Sequence, residues 1–214
     1  MSLVVFDLDG TLIDSRLDLA ESTNEMLGTY GAPELPVDRV AMMVGEGARK
    51  LVERALAASG LDSQEPEALA RFRTIYDRRL FGHTRPYAGV PEMITQVGQT
   101  SALAVLTNKP DDPTRRLLDA FGFLPAFRRV VGGDSAPARK PDPAGLHAII
   151  RDCGAAAAST WLVGDSMIDV ETARRAGVRM CVVLYGFGQL RGELVLDGSE
   201  AVAGTPAEVV EVIR

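Results

Sequence analysis

Asp7 and Asp9, the first acidic residues of the chain, could do covalent and proton chemistry together in Leu3-Val4-Val5-Phe6-Asp7-Leu8-Asp9-Gly10-Thr11-Leu12. The apolar residues before them predict a short buried strand. Side chains at i and i+2 of a strand share a face, so a strand continuing through Asp9 would aim both carboxylates at one spot. Carboxylates that close repel, and one takes a raised pKa unless a cation lies between them. Such a pair supplies a nucleophile, a proton carrier and a ligand for a divalent metal. A strand followed by an Asp-Gly turn with incidental acids has the same local sequence, so the rest of the chain must discriminate.

More residues with chemical capacity sit after similar apolar runs. Thr107 and Asn108 follow Leu103-Ala104-Val105-Leu106, with Lys109 next in line. Asp165 and Asp169 follow Trp161-Leu162-Val163-Gly164, and Lys140 precedes Pro141. The Asp165–Asp169 spacing reaches from a loop to the first turn of a helix on one face. Asp169 also suits a plain helix N-terminus, where an acid is stabilised by the macrodipole. An isolated lysine before proline is ordinarily a solvated loop residue, and Lys140 has to be weighed against that.

The elements that position these residues follow from periodicity. From about Ser15 to Arg85 the pattern is helical, with Leu17, Ala20, Asn24 and Leu27, and Leu51, Ala55 and Ala58, at three- and four-residue spacings. Breaks at Gly31-Ala32-Pro33, Gly45-Glu46-Gly47, Gly60-Leu61-Asp62-Ser63 and Gly82 to Pro86 divide it into four short predicted helices. From Pro86 onward, predicted strands and helices alternate, which implies a parallel sheet covered on both faces. The expected fold is α/β: a Rossmann-like core, residues 1–14 and 86–214, with a helical-bundle cap inserted at 15–85. Ligands of such sheets bind beyond the strands' carboxyl ends, where Asp7, Thr107 and Asp165 are all expected.

Composition narrows the function classes. The 214 residues carry 23 basic and 29 acidic side chains, a net charge of −6, which argues against a surface built for nucleic acid. No apolar run approaches the roughly 18 residues of a membrane helix, and no basic-then-apolar leader opens the chain. A cytoplasmic protein with no membrane partner is expected, as monomer or homodimer. Cys153 and Cys181 form neither a disulfide framework nor a Cys-x-x-Cys pair. The only histidines, His83 and His147, are far apart, so any metal must be held mainly by oxygen, which points to Mg2+.

Four ordered segments resemble the motifs of the haloacid dehalogenase superfamily: Asp7-Leu8-Asp9-Gly10-Thr11, the strand ending at Thr107, Lys140 in Arg139-Lys140-Pro141-Asp142-Pro143, and Gly164-Asp165 through Asp169. The resemblance implies Asp7 as nucleophile and Asp9 as general acid and base. It places Asp7, Asp9 (through its backbone carbonyl), Asp165 and Asp169 at Mg2+, with Asp169 ligating through water or orienting Lys140. Thr107 and Asn108 would bind phosphate with the following helix N-terminus, and Lys140 would neutralise the transferring group. Lys109 either meets phosphate or substrate, or is solvated. Asp9 favours phosphate-ester cleavage, since dehalogenases that resemble this chain carry a non-acid there.

Nearly the whole chain is similar to phosphoglycolate phosphatases, through Phe6 to Ser15, Tyr87-Ala88-Gly89-Val90, Leu106 to Pro110, Gly132 to Ser135 and Val163 to Ser166. Ala88, where proline is usual, and a short loop after Tyr185 depart from that pattern. Gly45-Glu46-Gly47-Ala48-Arg49 resembles the cap loop of that branch, in which Gly47 and Arg49 would meet a substrate carboxylate. An ordinary helix–helix turn explains the same residues. The resemblance implies a small phosphorylated metabolite as partner. Pyrophosphate, a sugar phosphate or a nucleotide, a phosphosugar mutase reaction, or a non-catalytic phospho-receiver remain as alternatives.

Overall fold

A computed structural model describes residues 2–61, 65–191 and 194–214. Six parallel strands form the central sheet: β1 (Ser2–Phe6), β4 (Ser101–Leu106), β5 (Phe127–Val131), β6 (Thr160–Gly164), β7 (Arg179–Val183) and β8 (Ala201–Ala203). Their order is β5-β4-β1-β6-β7-β8. Leu3, Val4, Val5 and Phe6 are wholly buried, as a strand covered by helices on both faces requires. The chain builds outward from β1 first to one side and then to the other. The carboxyl ends of β1, β4 and β6 therefore meet at the topological switch point.

The sheet is flanked by α5 (Val90–Gly98), α6 (Asp111–Ala120), α7 (Ala144–Asp152), α8 (Met167–Ala176) and α9 (Pro206–Ile213). They alternate with the strands, as the pattern from Pro86 onward predicts. The edge strand β8 was not expected, because three residues of Ala-Val-Ala carry no usable periodicity.

Between β1 and α5 the chain inserts α1 (Arg16–Gly28), α2 (Val37–Ala41), α3 (Ala48–Ala58) and α4 (Glu65–Arg79). α1 packs on α2, α3 and α4, and α3 on α4, so the four helices form the expected cap. The predicted break at Gly60-Leu61-Asp62-Ser63 lies partly outside the described residues. The two connections to the sheet pair with each other as a small antiparallel ladder, β2 (Ile13–Asp14) with β3 (Arg85–Pro86). Two-residue strands are invisible to periodicity, and neither was expected.

α1 corrects one expectation. Leu17, assigned to its packed face, is 37% exposed, whereas Asp18, Ser22 and Thr23 are fully buried. The reason is polar. Asp18 accepts hydrogen bonds from the His83 and Thr84 backbone N–H groups and from the Thr84 hydroxyl, at 2.7–2.9 Å. The Ser22 and Thr23 hydroxyls donate to the Asp18 and Leu19 carbonyls one turn back. A buried carboxylate thus fastens the outgoing connection to the returning one, and a buried charge is tolerated when so well satisfied. Among the described residues no helix is long and apolar enough to cross a membrane.

Candidate active site

The Asp7 N–H still donates to the Val163 carbonyl at 2.9 Å, so β1 carries its ladder one residue past Phe6. The chain then turns sharply: the N–H groups of Thr11, Leu12 and Ile13 all donate to the Leu8 carbonyl. Gly10 sits in this turn at φ +86°, and a Cβ there would lie 2.0 Å from Asp165 Oδ2. Only glycine fits, for conformation and for space.

Because the strand ends at the turn, Asp7 and Asp9 share one cavity without sharing one cation. The Lys140 ammonium is 2.8 Å from Asp7 Oδ1. The Lys109 ammonium donates to Asp9 at 3.1 and 3.3 Å, and the Ser15 hydroxyl donates to Asp9 Oδ1 at 2.6 Å. The repulsion expected between the two aspartates is relieved by separate lysines.

Lys140 is buried, and its ammonium also donates to Asp169 Oδ1 at 2.6 Å. Asp169 is simultaneously the third residue of α8, accepting on Oδ2 from Ser166 Oγ and Ser166 N in a reciprocal capping box. The helix-terminus and lysine-orienting readings of Asp169 are therefore both present in the structure. Burial pulls the Lys140 ammonium toward neutrality, but Asp169 and Asp7 outweigh it and hold its pKa above the ordinary lysine range.

The donor set fits a divalent cation. Oxygens of Asp7, Asp165 and Asp169 lie within 4.8 Å of one another, all from buried residues. Asp7 Oδ1 is buried, and the Lys140 ammonium at 2.8 Å is the charged partner that reaches it. Burial, opposed by Lys140 and reinforced by Asp169, pushes Asp7 up to about 6. Burial, then Asp169 and Asp7, raises Asp165 well above the carboxylate range, although Gly188 N–H donates to its Oδ2 at 2.6 Å. Three buried carboxylates against one ammonium leave an excess of negative charge, and hard oxygen ligands suit Mg2+.

A second acidic cluster does not compare. Asp18, Glu21 and His83 also approach one another, but the N–H and hydroxyl donors of His83 and Thr84 already engage Asp18. Cys153 and Cys181 are free and buried, consistent with packing.

Thr107 follows β4, buried at the cavity wall, and its Oγ1 accepts from Lys109 N at 3.2 Å. Asn108 corrects the phosphate-donor expectation for its side chain. Both its amide hydrogens go to the Gly45 and Lys140 carbonyls at 2.9 Å, and its Oδ1 accepts from Lys140 N. The Asn108 side chain fastens the Lys140 loop and the cap loop to the strand end. The helix N-terminus behind it is also engaged, since Asp134 Oδ1 accepts from Asp111 N at 2.7 Å. Lys109 is 7% exposed, which rules out the solvated reading.

The cavity has a volume of about 360 Å3. Asp7, Asp9, Thr107 and Lys109 form its sheet side, and Leu19, Val44, Leu51 and Phe72 line it from the cap. Gly45, Gly47 and Ala48 border it, as the cap-loop resemblance implies, with Gly47 at φ +89° just before α3. Arg49 does not: it is exposed and off the cavity lining. The first turn of α3 points it elsewhere, and the cap arginine at the cavity is Arg73, from α4. Arg73 and Tyr76 were not anticipated. Their one signal is spacing, since Phe72, Arg73, Tyr76 and Asp77 share a face of α4 at i, i+1, i+4 and i+5.

Residues 4–183 match the family model described as haloacid dehalogenase-like hydrolase. The chain belongs to that family. The phosphoglycolate phosphatase of Caulobacter vibrioides is 40% identical over 188 residues, covering 86% of this chain and 79% of the relative. That of Pseudomonas syringae pv. syringae is 37% identical over 218 residues, covering 99% and 77%. A crystal structure of a predicted phosphoglycolate phosphatase from Haemophilus somnus superposes with a TM-score of 0.91 at 28% identity, covering 100% of this chain and 98% of the other. The parallel sheet with its helical cap is the architecture of a haloacid dehalogenase-like hydrolase.

Proposed function

We propose that this hydrolase, a phosphatase, cleaves 2-phosphoglycolate to glycolate and phosphate with Mg2+ bound at Asp7, Asp165 and Asp169. The observation that carries the reading is the buried Asp7 carboxylate, paired with Lys140 at 2.8 Å and grouped with two further buried carboxylates whose charge one ammonium does not balance. An ionised carboxylate has about four lone-pair sites, so one ammonium leaves Asp7 able to meet a metal and phosphorus as well. Mg2+ would offset the charge of the carboxylates and of the transferring phosphoryl group.

The steps belong to the chain's own residues. An Asp7 oxygen attacks phosphorus in line, forming an aspartyl-phosphate as the ester P–O bond breaks. Asp9 gives its proton to the departing alkoxide, releasing glycolate. Asp9 then takes a proton from the incoming water as its oxygen bonds to phosphorus. The Asp7–phosphorus bond breaks, and phosphate leaves with both catalytic groups restored. Lys140, fixed by Asp169, stays charged through the cycle and stabilises the oxygens of the transferring group. Thr107 supplies a hydroxyl at the same wall. The carboxylate end of the substrate reaches toward the cap, where Arg73 and the N–H groups after Gly47 offer positive partners.

The cap crosses to the sheet only through the β2–β3 ladder, an arrangement that suits hinged opening for exchange and closure for exclusion of water. Phosphate release from a panel of small esters, with Mg2+ and with EDTA, tests the reading. Strong preference for 2-phosphoglycolate, lost in EDTA, is the expected result. Weak release across the panel overturns the substrate, and release unaffected by EDTA overturns the metal.

A further inference from the structure

Lys109 stands between the sheet side and the cap side of the cavity, and its closest partner is on the cap. Its ammonium donates to the Tyr76 hydroxyl at 2.6 Å, against 3.1 and 3.3 Å for the two Asp9 oxygens. The ammonium also lies 4.6 Å from the centre of the Tyr76 ring, within cation–π range. Tyr76 itself is 7% exposed and held in place by Phe72, whose ring stacks on it at 5.7 Å and 5°. Buried on its helix and stacked, Tyr76 has little freedom to follow a wandering lysine; the lysine must follow it. Lys109 in turn spans both oxygens of the Asp9 carboxylate, at 3.1 and 3.3 Å, and Ser15 donates to Oδ1 at 2.6 Å.

We propose that Tyr76 is a positioning residue for proton transfer: through Lys109 it holds the Asp9 carboxyl at the angle needed to reach the leaving oxygen. It ties the acid–base group to the cap, so that the proton carrier is aligned only when α4 is seated over the cavity. The inference rests on Asp9 being the proton carrier. Without the Tyr76 hydroxyl, Lys109 keeps its charge and its place in the chain but loses its nearest anchor, and Asp9 loses orientation. Misalignment of a reacting group by a fraction of an ångström is costly in rate while leaving binding intact.

Leaving groups separate this role from a structural one. An alkyl phosphate such as 2-phosphoglycolate expels a strongly basic alkoxide and needs a proton. The p-nitrophenolate of p-nitrophenyl phosphate departs without one. The readout is kcat/KM, which covers only the steps through alcohol release, so the later water step does not obscure it. For Tyr76→Phe the ratio of kcat/KM on the alkyl ester to that on the aryl ester falls about ten-fold, the size of one hydrogen bond to a charged group. In a Lys109→Met background, Tyr76→Phe leaves that ratio unchanged, because the link it acts through is gone.

Equal losses on both esters for Tyr76→Phe, or no loss on either, overturn the proposal, as does a shifted ratio in the Lys109→Met background. Asp9→Asn is the control for the underlying reading. Its own loss must be larger on the alkyl ester; if it is not, Asp9 is not the acid, and both readings fall. An Asp9→Asn skew with an even Tyr76→Phe loss removes the Tyr76 role alone. Melting curves for each variant confirm that the ratios compare folded proteins.

Discussion

The two walls of the cavity are built on opposite principles. On the sheet side nearly every polar atom is matched: Lys140 lies between Asp7 and Asp169, Asp169 also caps α8, and Asp9 is held by Lys109 and Ser15. On the cap side the wall is largely apolar, with Leu19, Val44, Leu51 and Phe72 around Arg73 and Tyr76. Strong, fixed charges stabilise a transition state, whereas a smooth wall with one or two polar groups selects what enters. On the proposed reading the contrast gives reaction to the sheet and selection to the cap, and the two sides touch at Tyr76 with Lys109 and at Gly45 with Asn108.

The largest effect expected from that division is on the sheet side. Asp7→Asn keeps the shape and removes the nucleophilic charge, so turnover falls by about four orders of magnitude or more on every ester alike. The accompanying check is acid-labile phosphate on the protein, present in the wild type during turnover and absent in the variant. Residual turnover with phosphate still on the protein would mean that another side chain is the nucleophile, and the division of labour would need redrawing.

The sheet side was legible in the sequence because its residues come in short runs whose local geometry is nearly forced. Asp7 follows four buried apolar residues, Gly10 must be glycine, and Asp165 to Asp169 span one loop and one helical turn. The cap side was legible only as helices. Arg73 and Tyr76 reach the cavity because of how α4 packs on α1 and α3, a tertiary outcome that helical spacing alone does not fix. Arg49 shows the converse: its place in a familiar loop suggested a role, but the first turn of α3 directs it outward. Asn108 failed for a third reason. Its type is right for phosphate, yet the loop carrying Lys140 needs its amide more.

A second consequence of the crowded sheet side is a pH-dependent stability that metal should abolish. Asp7 is raised to about 6 and Asp165 is raised as well, both chiefly by burial. Raised carboxylates bind protons in the native state that the unfolded chain has already released. Without metal, stability therefore falls as pH rises from the unfolded carboxylate range near 4 through about 6. Asp14 and Asp111 are shifted downward by Arg16 and Arg115, against the effect of their own partial burial. Their slope is opposite but ends below about pH 4. Melting temperatures in EDTA should drop between about pH 5 and pH 7, while Mg2+ should raise them more at pH 7 than at pH 5. A flat profile in EDTA, or equal stabilisation by Mg2+ at both values, would show that the carboxylates are not competing for a missing cation.

The smallest effect sharpens the cap side of the comparison. If Arg73 meets the carboxylate of 2-phosphoglycolate, Arg73→Ala removes one charge-assisted contact distant from phosphorus. Such a contact binds ground state and transition state alike, so KM rises about ten-fold while kcat stays within about two-fold. An ester without a carboxylate, such as p-nitrophenyl phosphate, should show no change in KM. Arg49→Ala, exposed and off the cavity, should leave KM unchanged on both esters. Were Arg73→Ala to raise KM equally for the two esters, its guanidinium would be attracting phosphate rather than reading the far end of the substrate. Selection would then rest on the apolar wall alone, through the space that Leu51 and Phe72 leave open.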